Sequence, residues 1–276
     1  MLIDTHCHLD ASEFDVDRDE LVRDALTCGV SAMIIPSVSA ANFDAVRQCC
    51  TRYAMCYPAY GLHPLYLAGG FEQDCVRLHR WLTKELGSAK PPVAIGEIGL
   101  DFHIPGADAL QQEQAFIEQL KIAWQFDLPV LLHVRHAIDQ VLKYLRRINV
   151  RGGVAHAFNG SRQQADEFLR LGFKLGFGGA MTYPGSARIR RLVVSLPIEA
   201  IVLETDAPDI PPVWRTNERH VPSDLGRIAE VLAQLRGLTR TEVEKYTAQN
   251  IQSLIPLPVD AGICVQGPLP IGKRTK

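Results

Sequence analysis

Six residues with metal-binding side chains each end or follow a short apolar run of this chain. They are four histidines and two carboxylates: His6, His8, Glu97, His133, His156 and Asp206. In an α/β barrel all strands run in the same direction, so residues at the ends of different strands converge on one face. Imidazole and carboxylate ligands together are typical of divalent metal sites. The pattern therefore predicts a metal centre, and most simply a two-metal centre, built from distant parts of the chain.

His6 and His8 are the strongest local signal, because they directly follow the first apolar run, 2–5. Two histidines separated by one residue can both turn onto a single ion beyond the end of a strand. The alternative is a pair of ordinary strand-end histidines. Asp4 and Asp10 flank the pair, and its position after the first strand favours metal binding.

The two carboxylates occur in apolar surroundings. Glu97 lies within the run 94–100, where a buried carboxylate is costly unless a cation is paired with it. Two metal ions bridged by Glu97 would satisfy it, and a salt bridge to Arg135 is the alternative. Asp206 follows the run 201–205 and could both bind metal and accept a proton from water. Its alternative is a cap of the following turn.

The remaining histidines are weaker signals when each is taken alone. His133 and His156 would more readily be core histidines, but both end consecutive strands, which favours metal binding. His63 ends the third apolar run, where it could contact substrate or hold a water bound at the metal, and a structural role is equally open. His103 and His136 lie near the same face and are weaker candidates.

The elements that must position these residues alternate regularly. Strands are expected near 2–5, 30–36, 56–61, 93–97, 129–133, 152–156, 173–177 and 201–205, with amphipathic helices between them. The strands are unbroken apolar runs, as buried parallel strands should be. The pattern predicts a (β/α)8 TIM barrel with two extra C-terminal helices, near 222–236 and 239–255. The glycine-rich run 176–180 resembles a phosphate-binding loop, although a tight strand-to-helix connection is favoured.

The length and composition of the chain agree with one soluble globular domain. We expect residues 1–255 to form a single barrel domain and residues 256–276, which lack periodicity and contain several prolines, to form an extended tail. A net charge of -2 provides no overall attraction for nucleic acid. The cysteines form no CxxC pair and are expected to be reduced. With no signal peptide and no run long enough to span a membrane, a cytoplasmic location is expected. The oligomeric state is left open, with a monomer favoured.

Taken together, six ordered segments resemble the TatD family of metal-dependent deoxyribonucleases, within the amidohydrolase-like barrels. The segments are IDTHCHLD (3–10), YGLHP (60–64), AIGEIGLD (94–101), LPVLLHVR (128–135), AHAFNGS (155–161) and VLETDAP (202–208). The resemblance covers about residues 1–255. It departs from the family at His220, where asparagine is frequent, and in the tail.

The resemblance implies two divalent ions, of magnesium, manganese or zinc. One would be held by His6, His8, Glu97 and Asp206, and the other by Glu97, His133 and His156. A carboxylated lysine often bridges the ions in the wider superfamily, and Glu97 in its place favours phosphodiester cleavage.

The leading hypothesis is therefore hydrolysis of DNA, at single strands or ends. Arg135 would clamp the phosphate, because a guanidinium can hold two oxygens at once. An alternative keeps the metals but cleaves an amide, a lactone or an aminoacyl ester. A third is a barrel that binds nucleic acid or a protein, with metal only stabilising it; the complete ligand set argues against it, because a structural ion is usually closed in by four ligands.

Overall fold

The computed structural model describes residues 1–67 and 70–258, and its centre is one parallel sheet of eight strands in the order in which they occur along the chain. The strands are β1 (Leu2–Asp4), β2 (Val30–Pro36), β3 (Cys56–Tyr60), β4 (Ala94–Asp101), β5 (Val130–Arg135), β6 (Gly153–Ala155), β7 (Phe173–Phe177) and β8 (Ile201–Leu203). The Thr5 amide donates to the Leu203 carbonyl over 3.0 Å, which joins the first strand to the last. The predicted TIM barrel is confirmed.

Helices follow the strands and cover the outside of the barrel. They are α1 (Arg18–Thr27), α2 (Phe43–Arg52), α3 (Phe71–Glu85), α4 (Ala109–Gln125), α5 (Ile138–Leu145), α6 (Arg162–Arg170), α7 (Ala187–Ser195), α8 (Leu225–Arg236) and α9 (Arg240–Gln252). Short 3₁₀ turns lie at Ser12–Phe14, Pro64–Tyr66, Gly179–Thr182, Ile198–Ala200 and Pro222–Asp224. Helices α8 and α9 are the two predicted additions after the eighth strand. Among the described residues, no helix has both the length and the apolar character needed to cross a membrane.

Helix α4 shows how the apolar stripe positions a helix against the sheet. Phe116, Leu120 and Ala123 recur at steps of three and four residues and are fully buried. Trp124, the next residue, is 65% exposed although it is large and aromatic. Consecutive helical residues point about 100° apart, so only one of Ala123 and Trp124 can face the strands.

Strands β4 and β5 run past the residues at which they were expected to end. Glu97 and His133 therefore lie inside strands instead of at their ends. The pairing of β4 with β5 also shifts register between Ile95 and Ile98. Strict alternation would place Glu97 on the helix-facing side with Ile95, whereas the shift directs Glu97 into the barrel. Gly96 is required here, because a Cβ atom on it would lie 2.6 Å from the Cβ of Leu131.

The opposite, N-terminal end of the barrel is closed by apolar residues of α9 and of the chain that follows it. Ile251, Leu254, Ile255 and Leu257 pack against inward-facing side chains of seven strands. The Tyr57 hydroxyl donates to the Pro258 carbonyl over 2.8 Å. The first three residues of the predicted tail, 256–258, thus dock on the barrel. The rest of the predicted tail, 259–276, lies outside the described residues.

Candidate metal centre

The C-terminal end of the barrel brings together all six predicted ligands. The chain just beyond β1 supplies His6 and His8, β4 supplies Glu97, and β5 supplies His133. His156 directly follows β6, and Asp206 lies three residues beyond the end of β8. All six are largely buried, although hydrophobic residues dominate the rest of the interior.

Four donor atoms face one another in the first part of the centre. The Nε2 atom of His6 lies 3.2 Å from Oε2 of Glu97 and 3.5 Å from Oδ1 of Asp206. The Nε2 atom of His8 lies 3.6 Å and 3.7 Å from the same two oxygens. Ligands about 2.1 Å from a tetrahedral ion are about 3.4 Å apart. These distances are those expected of donors around one divalent ion, and ligand atoms of His6, His8 and Glu97 all lie within 4.8 Å of one another. Asp206 forms a second such group with His6 and His156.

A second group of donors surrounds the other oxygen of Glu97. Its Oε1 atom lies 3.0 Å from Nδ1 of His133, 3.4 Å from Nε2 of His156 and 3.7 Å from Nε2 of His63. The two oxygens of a single buried carboxylate thus face separate sets of imidazoles. The expected alternative, a salt bridge from Glu97 to Arg135, is wrong: the ion-pair partners of Glu97 within the described residues are histidines.

His63 differs from the other histidines in the way its ring is held. Its Nδ1 atom accepts a hydrogen bond of 3.2 Å from the Leu65 amide. A neutral imidazole that accepts at Nδ1 carries its proton at Nε2. The Nε2 atom facing Glu97 is therefore a hydrogen-bond donor, which is poorly suited to metal binding and well suited to contacting an anion or a water.

Two further carboxylates lie beside the histidines of the second group. Asp101, at the end of β4, lies with Oδ2 3.0 Å from Nε2 of His133. Glu204 has Oε1 3.5 Å from Nδ1 of His156 and accepts from the Ala157 amide over 2.5 Å. A carboxylate behind a metal-binding histidine fixes its tautomer and strengthens it as a ligand. Neither residue was predicted to belong to the site, although both lie in segments that carried the resemblance.

The glycine-rich run 176–180 makes room for Glu204. A Cβ atom on Gly176 would lie 2.1 Å from the Glu204 Oε2 atom, and one on Gly178 would lie 2.6 Å from the Glu204 carbonyl oxygen. The run joins β7 to the 3₁₀ turn Gly179–Thr182, as the favoured interpretation expected. Its glycines pack against a carboxylate, so the phosphate-binding interpretation loses its support.

Two buried glutamines of α4 hold the strand ends beside the centre. The Gln112 side chain accepts from the Asp101 amide and donates to the Asp101 carbonyl, at 2.8 Å and 3.0 Å. Gln119 makes the same pair of bonds with Leu62, at 2.7 Å and 3.0 Å. Each amide side chain thus imitates a neighbouring strand and fixes the backbone next to His63 or at Asp101.

A buried aspartate connects the first and last strands. Asp4 accepts hydrogen bonds from the Thr205 amide and hydroxyl and from the His6 amide, at 2.9, 2.6 and 3.2 Å. Burial nevertheless raises its pKa to about 7. These bonds fix His6 relative to Asp206, two predicted ligands that follow the first and the eighth strand.

The charges of the centre are strongly coupled. Burial raises the pKa of the Asp206 carboxyl to about 7, and nearby imidazoles offset this only in part. Burial lowers the pKa values of His8 and His156, but neighbouring carboxylates outweigh it and raise them to about 9 and about 10. Burial also raises the pKa of Glu97, yet the surrounding imidazoles hold it well below its ordinary value. A cation that binds at neutral pH must therefore displace protons from this site.

A cavity of about 1660 Å³ opens from the centre to solvent. Arg135 lines its mouth, is exposed, and lies on the same face of β5 as His133. His136 also lines the mouth and packs edge-on against His103, with ring centres 4.8 Å apart. His220 lies outside the centre: it is buried, and its Nδ1 atom donates to the Asp209 carbonyl over 2.7 Å, bracing the loop after Asp206.

Comparisons with known proteins agree with this arrangement. A sequence profile of TatD-related DNases matches residues 3–256. The Escherichia coli K12 metal-dependent hydrolase YjjV is 36% identical over 93% of this chain and 98% of its own length, and its crystal structure, described as a TatD homologue, superposes with a TM-score of 0.87. Human deoxyribonuclease TATDN3 is 31% identical over 92% of this chain and 94% of its own. This chain belongs to the TatD-related DNase family.

Proposed function

We propose that this chain, a TatD-family metal-dependent hydrolase, cleaves phosphodiester bonds of DNA at single-stranded or terminal stretches with the help of two divalent ions. The observation that carries the proposal is the position of Glu97, whose two carboxylate oxygens face two separate sets of nitrogen and oxygen donors. A carboxylate shared in this way is typical of sites in which two ions lie close enough to act on one phosphate. The match to the DNase family and to human TATDN3 supports DNA as the substrate.

The six ligands divide into two sets that share Glu97. His6, His8 and Asp206 complete one set, and the donor distances support a single ion there. His133 and His156 complete the other, each backed by a carboxylate. When bound, the two ions would neutralise charge on the phosphate and make water a stronger nucleophile.

Asp206 is proposed as the proton acceptor. Its Oδ1 atom lies 3.5 Å from Nε2 of His6 and 3.7 Å from Nε2 of His8, beside the place where a water would be activated, and a carboxylate there can take a proton from it. His63 would donate its Nε2 hydrogen to a phosphate oxygen or to the attacking water. Arg135 would bind a second phosphate oxygen from the mouth, where its guanidinium is exposed.

The charge of the mouth favours short or single-stranded substrate. Arg135 and Arg188 are its lining arginines within the described residues, and acidic side chains such as Asp10, Asp139 and Asp209 line it as well. A continuous duplex binds best to a surface with a long track of positive charge. A cavity mouth lined by both basic and acidic side chains, above a buried centre, instead suits the end of a single strand that enters the cavity.

The test begins with metal analysis of the purified protein, followed by removal of metal and restoration of magnesium, manganese or zinc in separate samples. Each sample is then given end-labelled single-stranded DNA, double-stranded DNA and small neutral esters and amides. Metal-dependent cleavage of DNA that exceeds turnover of the esters is expected. Preferential turnover of an ester or amide would contradict the proposal and support the carbonyl-directed alternative.

Arg135→Ala separates phosphate recognition from metal binding. The variant should keep its metal content and lose about 1.5–3 kcal/mol of catalysis on DNA, the scale of a hydrogen bond to a charged group. Any turnover of a neutral ester should change far less, because an ester offers no anionic oxygens. An equal loss on both substrates would show that Arg135 acts through the structure of the site.

A further inference from the structure

One side of the mouth is apolar and aromatic, in contrast to its charged surroundings. Leu65 and Tyr66 lie in the 3₁₀ turn Pro64–Tyr66, directly after His63, and both line the cavity. They are 41% and 60% exposed, so both are accessible to a bound molecule. We call this pair the aromatic shelf.

The shelf is held rigidly relative to the centre. Pro64 occupies the first position of the turn, where its fixed φ suits a helical start. The Leu65 amide donates to the His63 ring, and the Tyr66 amide donates to the His63 carbonyl over 3.0 Å. The Tyr66 ring packs edge-on against the His63 ring, with ring centres 5.5 Å apart. A side chain anchored in this way presents a stacking surface at little cost in conformational entropy.

The shelf also lies at a useful distance from the centre. A single imidazole separates the Tyr66 ring from the metal ligands, because the His63 Nε2 atom is 3.7 Å from Glu97 Oε1. A group stacked on Tyr66 would therefore lie close to a phosphate bound at the centre. Arg135, at the end of β5, contributes charge to another part of the mouth.

We propose that the aromatic shelf binds the unpaired nucleobase next to the scissile phosphate, and this proposal rests on the proposed function. Bases of any type stack on aromatic side chains, which gives affinity without sequence preference. A base can reach Tyr66 only when it is free of its partner strand. The shelf would thus select single strands and frayed ends, independently of the charge of the mouth.

The experiment compares wild type with Tyr66→Ala and Tyr66→Phe on two single-stranded oligonucleotides. One carries all its bases, and the other has an abasic residue beside the scissile bond, placed on one side and then on the other. Trp124→Ala is the matched control, since Trp124 is equally exposed but lies on α4 and does not line the cavity. Metal content and kcat/KM are measured for every variant.

On the complete oligonucleotide, Tyr66→Ala should lose roughly tenfold in kcat/KM, mainly through KM, while its metal content stays unchanged. Tyr66→Phe should remain near wild type, because it keeps the ring, and so should Trp124→Ala. On one of the abasic oligonucleotides wild type should show a similar loss, and Tyr66→Ala should lose nothing more. This equality identifies the missing base as the partner of the ring.

Unchanged kcat/KM for Tyr66→Ala on the complete strand would contradict base stacking on Tyr66. A tenfold loss for Tyr66→Ala relative to wild type on both abasic strands would contradict it as well. In those cases wild type still cleaves DNA, and the proposed function stands. Absence of metal-dependent DNA cleavage by wild type would overturn the proposed function and the shelf with it.

Discussion

The two ends of the barrel interior are built from opposite kinds of residue. At the N-terminal end, side chains such as Ile3, Leu131 and Val154 meet Ile251 and Leu257 in a continuous apolar cluster. At the C-terminal end, the interior is filled by imidazoles and carboxylates that burial alone would disfavour. The apolar end therefore stabilises the fold, and this stability offsets the cost of burying charged groups at the other end.

In three strands the change from apolar to polar takes two residues. Leu131 is followed two residues later by His133, Val154 by His156, and Val202 by Glu204. Residues two apart in a strand point to the same face, so each of these three apolar residues is followed, toward the C-terminal end, by a polar one. Positions two residues apart on one strand can therefore serve stability and chemistry separately. Substitutions at the two ends should then have separable effects.

The largest effect is expected for Glu97→Ala. Loss of the shared carboxylate removes a ligand from both ions, so the variant should bind less metal and lose about a thousandfold or more in activity. Full metal content with unchanged turnover would break the assignment of this end as a two-ion site.

Asp206→Asn should separate chemistry from metal binding within the polar end. The amide keeps an oxygen and the shape of the side chain but removes the proton acceptor. We expect the folded variant to keep at least part of its metal and to lose about two orders of magnitude or more in rate. Turnover within a few-fold of wild type would show that another residue accepts the proton.

Ile251→Ala should lower the stability of the fold and leave the metal centre unchanged. Ile251 is fully buried in the apolar cluster, and its truncation should lower the free energy of unfolding by about 2–5 kcal/mol. Below its melting temperature, the variant should keep the metal content and kcat/KM of wild type. Denaturant unfolding and activity, measured on the same sample, check both statements. A parallel loss of metal would show that the two ends are coupled.

The smallest effect is expected at the end of the chain, where we propose that the domain is complete at residue 258. A chain that ends at Pro258 should keep the melting temperature and activity of the full chain. A chain that ends at Ile255 also loses Leu257, which packs in the apolar cluster, and should melt lower by roughly 2–4 °C for each kcal/mol lost. Equal melting temperatures of the two truncated chains would show that Leu257 does not stabilise the apolar cluster.

The barrel and the meeting of the six ligands could be predicted because both follow from strand periodicity and shared strand direction. The inward orientation of Glu97 could not, since alternation from Ile95 predicts the opposite face and only the register shift in β4 corrects it. The roles of Asp101 and Glu204 were also missed. Their partners are distant in sequence, and a carboxylate behind a histidine leaves no local pattern. Gln112 and Gln119 looked like ordinary polar positions of a helix for the same reason.

The most direct test of the two-ion centre is to load the metal-free protein with manganese and to measure both stoichiometry and the electron paramagnetic resonance spectrum. Two ions that share Glu97 should give two manganese per chain and an exchange-coupled spectrum. Glu97→Ala should lose the coupling, and Arg135→Ala should retain it. A single manganese per chain, or two that give the spectrum of isolated ions, would contradict the account of the polar end as a site bridged by Glu97.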